Sequence, residues 1–155
     1  CRCGSTSSRH IQKADTLMIH HSTLQVRWAD LDAFGHVNNA AYLVLVQEAR
    51  ADFTWYSRKN VGDKPILADM VVARTEVDYV EPIYDGGIDV DVAITVARLG
   101  SASFELNYVI SHHGLIHARA KTVQVAVSME TKKSRPLTEE ERSFLSDYLE
   151  VSAEG

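Results

Sequence analysis

The alternation of apolar and polar positions divides the chain into a short strand, one long helix and a run of longer strands. From Thr23 to Trp28 the period is two, with Leu24, Val26 and Trp28 on one face and Gln25 and Arg27 on the other, which predicts a first strand. The stretch Ala29 to Asn39 breaks this alternation with Asp30, Asp32, Gly35, His36, Asn38 and Asn39, and reads as a loop. Asn38 or Asn39 can cap a following helix, because an Asn side-chain oxygen satisfies the free N–H groups of a first helical turn. That helix is expected to run to about Lys59. Its opening stretch, Ala40 to Val46, is apolar around the whole circumference and offers no face to water, so it should be enclosed by protein. Gln47, Glu48, Arg50, Asp52 and Arg58 then restore polarity and predict that the second half reaches a surface.

Further strand-like segments follow over Ala68–Val80, Gly87–Leu99, Ala102–His112 and Leu115–Glu130, rich in Val, Ile, Phe and Tyr. Pro82 with Asp85-Gly86-Gly87, then Gly100-Ser101, then His113-Gly114 supply the turns between them. Links this short predict an antiparallel meander, since a parallel crossover needs roughly a dozen or more residues. Ile88, Val90, Val92, Ile94 and Val96 share one face, which should be buried. Thr138 and Glu141 have the spacing of a capping box and predict a short amphipathic helix to about Glu150. The element order gives an α+β class, with one curved antiparallel sheet wrapped around one long central helix.

Composition narrows the functional classes. At 155 residues, 45% apolar and 24% charged, the chain suits a single ordinary globular domain. A net charge of −5 without a basic stripe argues against a nucleic-acid partner, since phosphate binding draws on clustered Lys and Arg. The longest clean apolar run, Ala40 to Val46, falls far short of the roughly 20 residues a membrane helix needs, which predicts a soluble protein with no membrane partner. Cys1 and Cys3 are the only cysteines, so the core holds no disulfide framework, thiolate ligand or cysteine nucleophile. Residues 1–17 read as a disordered or non-native segment before a domain spanning 18–155, with Met18 as the expected native start. The location is expected to be cytoplasmic, or organellar if residues 1–17 are the remnant of a transit peptide.

The chemistry concentrates between Arg27 and Tyr42. A loop ending at the start of a buried helix brings together a carboxylate, an imidazole and backbone N–H groups at the positive end of the helix dipole, which are the parts acyl transfer needs. The pattern Asp-x-Asp-x-x-Gly-His-Val-Asn-Asn-x-x-Tyr over Asp30 to Tyr42, followed by Glu48-Ala49-Arg50, resembles the hotdog-fold acyl-CoA thioesterases of the 4-hydroxybenzoyl-CoA thioesterase-like family. The resemblance extends in element order from about Leu24 to Leu149 and is motif-dense only from Arg27 to Arg50.

That resemblance implies hydrolysis of acyl-CoA or acyl-carrier thioesters with Asp32 as the catalytic carboxylate, either attacking the carbonyl or activating water. It also implies an oxyanion held by the backbone N–H near Asn39, with His36 orienting the carbonyl or the water. Asp30 is expected to be structural, holding the loop or pairing with Arg27. Asn38 reads as a cap, Tyr42 and Tyr79 as core or pocket wall, and Glu48 as a pocket-lining group and the runner-up carboxylate. His20, His21, His112 and His113 are expected at the surface. Phe34, Phe53 and Tyr79 could shape an acyl pocket or simply pack. Arg98, Ser101, Ser103 and Arg135, near Lys132 and Lys133, are candidates for contacting the pantetheine and phosphates of CoA. Thioesters are activated enough that no metal or other cofactor is expected.

One sheet curled over one helix leaves a strand edge and the other sheet face to cover, and relatives pair sheets edge to edge with the active site at the interface. A homodimer or homotetramer is therefore expected. Two other readings remain open at this point: a 3-hydroxyacyl-thioester dehydratase or hydratase of the same fold, and a non-catalytic acyl-CoA sensor.

Overall fold

Five strands form one antiparallel sheet in the order β1-β3-β4-β5-β2 in the computed structural model, which describes residues 18–150. They are β1 (His20–Gln25), β2 (Met70–Tyr79), β3 (Asp89–Leu99), β4 (Ser103–His112) and β5 (Leu115–Ala126). Alternation does what it predicts: Val90, Val92, Ile94 and Val96 of β3 are buried, as are Phe104, Leu106, Tyr108 and Ile110 of β4. The β4–β5 hairpin turns on His113 and Gly114 at φ of 49° and 82°, the left-handed pair that a tight hairpin twisting with its strands requires. The fold is the hotdog fold, a curved sheet packed around a central helix.

The helix follows in three end-to-end pieces, α1 (Ala41–Ala51), a π-helical turn (Asp52–Tyr56) and α2 (Ser57–Asn60). Tyr42, Leu45, Val46, Ala49 and Phe53 are buried. The backbone of α1 lies close to β1 and β3, on one side of the sheet. Enclosure on every side, expected from the apolar circumference, is not provided by the described residues: Leu43 and Val44 are 46% and 44% exposed. A five-stranded sheet covers one face of a helix, and the opposite face stays open.

The meander holds for β3, β4 and β5 only. β2 pairs with β5, Tyr79 opposite Ala118 and Met70 opposite Ala126, rather than with β3. Residues 80–88 instead carry the chain across the end of the sheet, where the Val80 and Glu81 amides donate to His117 O, the Val37 amide donates to Ile83 O, and Ile83 is buried. Short links limit direction but not partner, and these packing and hydrogen-bond contacts decide the partner.

Smaller corrections have local causes. β1 begins at His20 and ends at Gln25, while Trp28 starts a 3-10 turn (Trp28–Asp30) and is 86% exposed, so its place in the apolar alternation is accidental. β5 stops at Ala126 rather than Glu130, because Ser128 to Lys133 form a turn closed by the Ser128 N–H to Lys133 O bond. The last helix, α3 (Glu139–Ser146), has the predicted capping box, with Thr138 Oγ1 accepting from the Glu141 N–H at 3.1 Å and Glu141 Oε1 accepting from the Thr138 N–H at 2.9 Å. It ends before Glu150, since the chain there leaves the helix to bond along β3, Glu150 N–H to Val96 O at 2.8 Å.

His20 is not a surface residue. Its Nε2 lies 3.1 Å from Asp52 Oδ2 and 3.0 Å from Ser22 Oγ, and its ring packs on Phe53 with centroids 5.1 Å apart. Phe53 in turn packs on Phe144 at a tilt and meets Tyr148 edge-on, so it belongs to the core and not to a pocket. Among the described residues, no helix is long and apolar enough to cross a membrane. Cys1, Cys3 and the rest of residues 1–17 lie outside the described residues.

Candidate active site

The loop between β1 and α1 is anchored first by Asp30. Its buried carboxylate accepts from the Arg27 N–H and from Arg27 Nη2, both at 2.8 Å. The hydrogen bond from the Arg27 side chain holds the Asp30 carboxyl below the usual carboxylate range, against the opposing effect of burial. The Asp30 carbonyl accepts from the Asn38 N–H at 2.8 Å, and Leu31 bridges antiparallel to Val37. Residues 31–37 thus form an arch stitched at its base.

At the top of the arch, Asp32 N–H donates to His36 O and Gly35 N–H donates to Asp32 O, each at 3.0 Å. Gly35 has φ +84°, which a residue with a Cβ adopts only under strain. Asp32 Oδ1 accepts from the Phe34 N–H at 2.9 Å, a local turn that fixes the carboxylate's direction. Oδ2 accepts from no described residue.

Asp32 opens onto a cavity of about 570 Å³ that His36, Asn39, Tyr42 and Tyr79 also line, with Phe34 and Val37 beside them. Val80, Glu81 and Pro82 form another wall, a contribution the sequence reading missed. Pro82 between two strand patterns was the available signal, but it reads as a turn until the crossing of residues 80–88 is known.

His36 Nδ1 lies 3.3 Å from Val37 O and 3.8 Å from Asp32 Oδ1. Donation to the carbonyl puts the proton of a neutral ring on Nδ1 and leaves Nε2 as an acceptor. The ring stands between Phe34 and Tyr84, each with centroids 6.2 Å away.

Neither Asn38 nor Asn39 is the helix N-cap, which is Ala40 without a side-chain cap bond; Asn38 instead closes the turn before the helix, its Oδ1 accepting from the Ala40 N–H at 2.9 Å and its carbonyl from the Ala41 N–H at 2.8 Å. The Asn39 N–H donates to no described residue. Tyr79 donates its hydroxyl to Asn39 O at 3.0 Å and meets buried Tyr42 edge-on, centroids 5.2 Å apart. Burial pushes the Tyr42 phenol above its ordinary pKa, so it stays protonated at neutral pH.

The remaining sequence candidates lie elsewhere in the chain. Glu48 is exposed in a separate groove with Leu24, Arg27 and Val44. Arg98, Ser101, Ser103 and Arg135 gather at the far end of the sheet, where Ser103 pairs with Val125 while Tyr79 pairs with Ala118 near the other end. Arg98 Nε donates to Glu105 at 2.7 Å and its Nη2 to Ser103 Oγ at 3.2 Å. Arg135 grips Glu141 with two bonds, at 3.0 and 3.1 Å. Burial pushes the Glu141 carboxyl up, but the bonds from Arg135 and Thr138 outweigh it and hold the group below its ordinary range.

Asp32 and Asn39 lining one cavity beside a helix start is an arrangement that can be compared with known proteins. A model of the thioesterase-like superfamily matches residues 26–145, which span the arch, the helix and the whole of β2 to β5. The chain belongs to the thioesterase-like superfamily. Its activity class is therefore thioester hydrolysis. The 1,4-dihydroxy-2-naphthoyl-CoA hydrolase of Synechococcus elongatus is 27% identical over 133 residues, covering 83% of this chain and 93% of that protein. The long-chain acyl-CoA thioesterase FadM of Escherichia coli is also 27% identical, covering 81% and 96%. A Thermus thermophilus thioesterase solved with coenzyme A and zinc is 30% identical, with a TM-score of 0.66, covering 81% and 90%. This thioesterase-like chain thus aligns with nearly the full length of each of these relatives.

Proposed function

We propose that the protein hydrolyses acyl-CoA thioesters, with Asp32 as the reacting carboxylate and the Asn39 amide as oxyanion donor. The observation that carries this reading is that Asp32 and Asn39, whose N–H donates to no described residue, line the same cavity just before the start of a half-buried helix. A thioester carbonyl seated between them would meet a carboxylate oxygen on one side and a donor, aided by the helix dipole, on the other. In one route Asp32 attacks the carbonyl carbon, CoA leaves as thiolate and takes up a proton, and water cleaves the resulting anhydride. In the other, Asp32 takes a proton from water as that water attacks. A thiol of pKa about 8.5 is a good leaving group, so this chemistry calls for no metal or other cofactor. Among the described residues, no three His, Cys, Asp or Glu side chains converge to hold a metal. His36 Nε2, free to accept, orients the water or receives its proton.

The acyl group is left open by relatives of equal distance, one named for an aryl-CoA and the other for long-chain acyl-CoA. The proposed site is completed by a second copy of the chain. Two β2 edges paired antiparallel would set the Tyr79 end of one beside the Met70 end of the other, and Met70 pairs with Ala126 next to Ser103 and Arg135. Neighbouring strands lie about 4.8 Å apart, so the partner's Ser101–Ser103 turn, three spacings from this chain's β2, would stand roughly 14 Å away, within reach of a bound pantetheine arm. Arg98, bonded to Ser103 at the same end of the sheet, is proposed as a contributor on the same basis, Tyr42 contributes within one chain, and Glu48 in its separate groove is left outside the pocket.

The test is thiol release from a panel of aryl, short-chain and long-chain acyl-CoAs. Steady release of free thiol and acid from at least one member is expected. Tight binding without turnover would contradict hydrolysis and favour a sensor, and hydration of an enoyl-CoA without thiol release would favour a hydratase.

A further inference from the structure

One peptide group in the cavity wall is held at both ends by side chains. Its carbonyl, Asn39 O, accepts from the Tyr79 hydroxyl at 3.0 Å, and its N–H, that of Ala40, donates to Asn38 Oδ1 at 2.9 Å. The preceding residue is fixed as well, because Asn38 N–H donates to Asp30 O and Asn38 O accepts from the Ala41 N–H, both at 2.8 Å. Between these pinned groups lies the Asn39 N–H, which donates to no described residue.

We propose that Tyr79 is a positioning residue for hydrolysis, its hydroxyl clamping the Asn39 carbonyl so that the adjacent Asn39 N–H keeps one direction at the cavity wall. This rests on the reading of Asp32 and Asn39 given above. The bond joins the end of the edge strand to the start of the helix, across 40 positions of sequence. Tyr79 is 52% exposed, and a hydroxyl and a carbonyl near solvent can both be served by water, so the bond adds little to stability. What it supplies is orientation. The Tyr79 ring cannot swing freely against the edge of Tyr42, and its strand end is fixed by the Val80 and Glu81 amides on His117 O. The hydroxyl proton is committed to Asn39 O, so Tyr79 is not the acid that protonates the departing thiolate. Without the clamp the Asn39–Ala40 peptide is released, and the neighbouring Asn38–Asn39 peptide that carries the donor keeps only its own bond from the Ala41 N–H to Asn38 O; a donor misplaced by about 1 Å can cost on the order of 100-fold in rate. The loss falls on kcat, because an oxyanion donor acts mainly on the transition state.

The experiment compares Tyr79→Phe, which keeps the ring against Tyr42, with wild type and Asp32→Asn on the best acyl-CoA of the panel. Expected for Tyr79→Phe is a kcat lower by about 10- to 100-fold, KM within about threefold, and an unchanged thermal midpoint. A second readout is independent of turnover: the Asn39 and Ala40 amide resonances should shift or broaden in Tyr79→Phe while those of β5 stay in place. A kcat within about twofold of wild type, a rise in KM alone, or unmoved amide resonances would overturn the clamp while leaving Asp32 untouched. Full activity in Asp32→Asn would overturn the clamp together with the reading beneath it.

Discussion

Asp30 and Asp32 are two positions apart, and their surroundings give them different roles. Asp30 is buried and spends both oxygens on Arg27, so it holds the arch, while Asp32 keeps one oxygen without a described partner beside the cavity. The anchoring role of Asp30 was readable in the sequence as a pairing with Arg27, but the Asn39 N–H left without a described partner was not, since either Asn was a candidate cap. The lowered Asp30 pKa gives a signed prediction. A carboxyl whose folded pKa lies below its unfolded value, near 3.9, stabilises the fold at neutral pH and loses that contribution as pH falls through the folded value. Asp30→Ala is expected to cost about 1–3 kcal/mol at pH 7 in urea unfolding, with the gap to wild type narrowing below about pH 4. A gap that stayed constant or widened on acidification would contradict this ion pair.

At the scale of elements, spacing carried most of the information. The Thr138 and Glu141 capping box forms as read, and Thr138→Ala is expected to lower stability by about 1 kcal/mol in the same unfolding assay, without altering hydrolysis. The alternation of β3, β4 and β5 also came through, because one face of each packs on the core. Trp28 misled for the opposite reason: an exposed aromatic in a 3-10 turn happened to fall in register with Leu24 and Val26. The partner of β2 was not legible, since its choice depends on His117 and Val37, which lie far from it in sequence and hold residues 80–88 across the sheet through His117 O and the Val37 bond to Ile83 O. That missed crossing is also why Val80, Glu81 and Pro82 were not foreseen in the cavity wall.

On the scale of the whole molecule, the unexplained surface is apolar. Leu43 and Val44 on the helix, and Val71, Val72, Tyr79 and Val80 along the edge strand, are all exposed in one chain. Patches of this kind mark association surfaces, and a second copy paired along β2 would cover the strand. Val72→Lys puts a charge on that strand at an exposed position, and is expected to halve the assembly's mass by light scattering and to abolish hydrolysis with it. A fully active monomer would refute a site shared between copies. The central claim concerns the carboxylate of residue 32, and its most direct test is the initial rate of thiol release by Asp32→Asn beside Glu48→Ala. The account predicts that Asp32→Asn loses at least about 1,000-fold in kcat while keeping its thermal midpoint, and that Glu48→Ala stays within about tenfold of wild type. Near-normal release by Asp32→Asn, or abolition by Glu48→Ala alone, would contradict it.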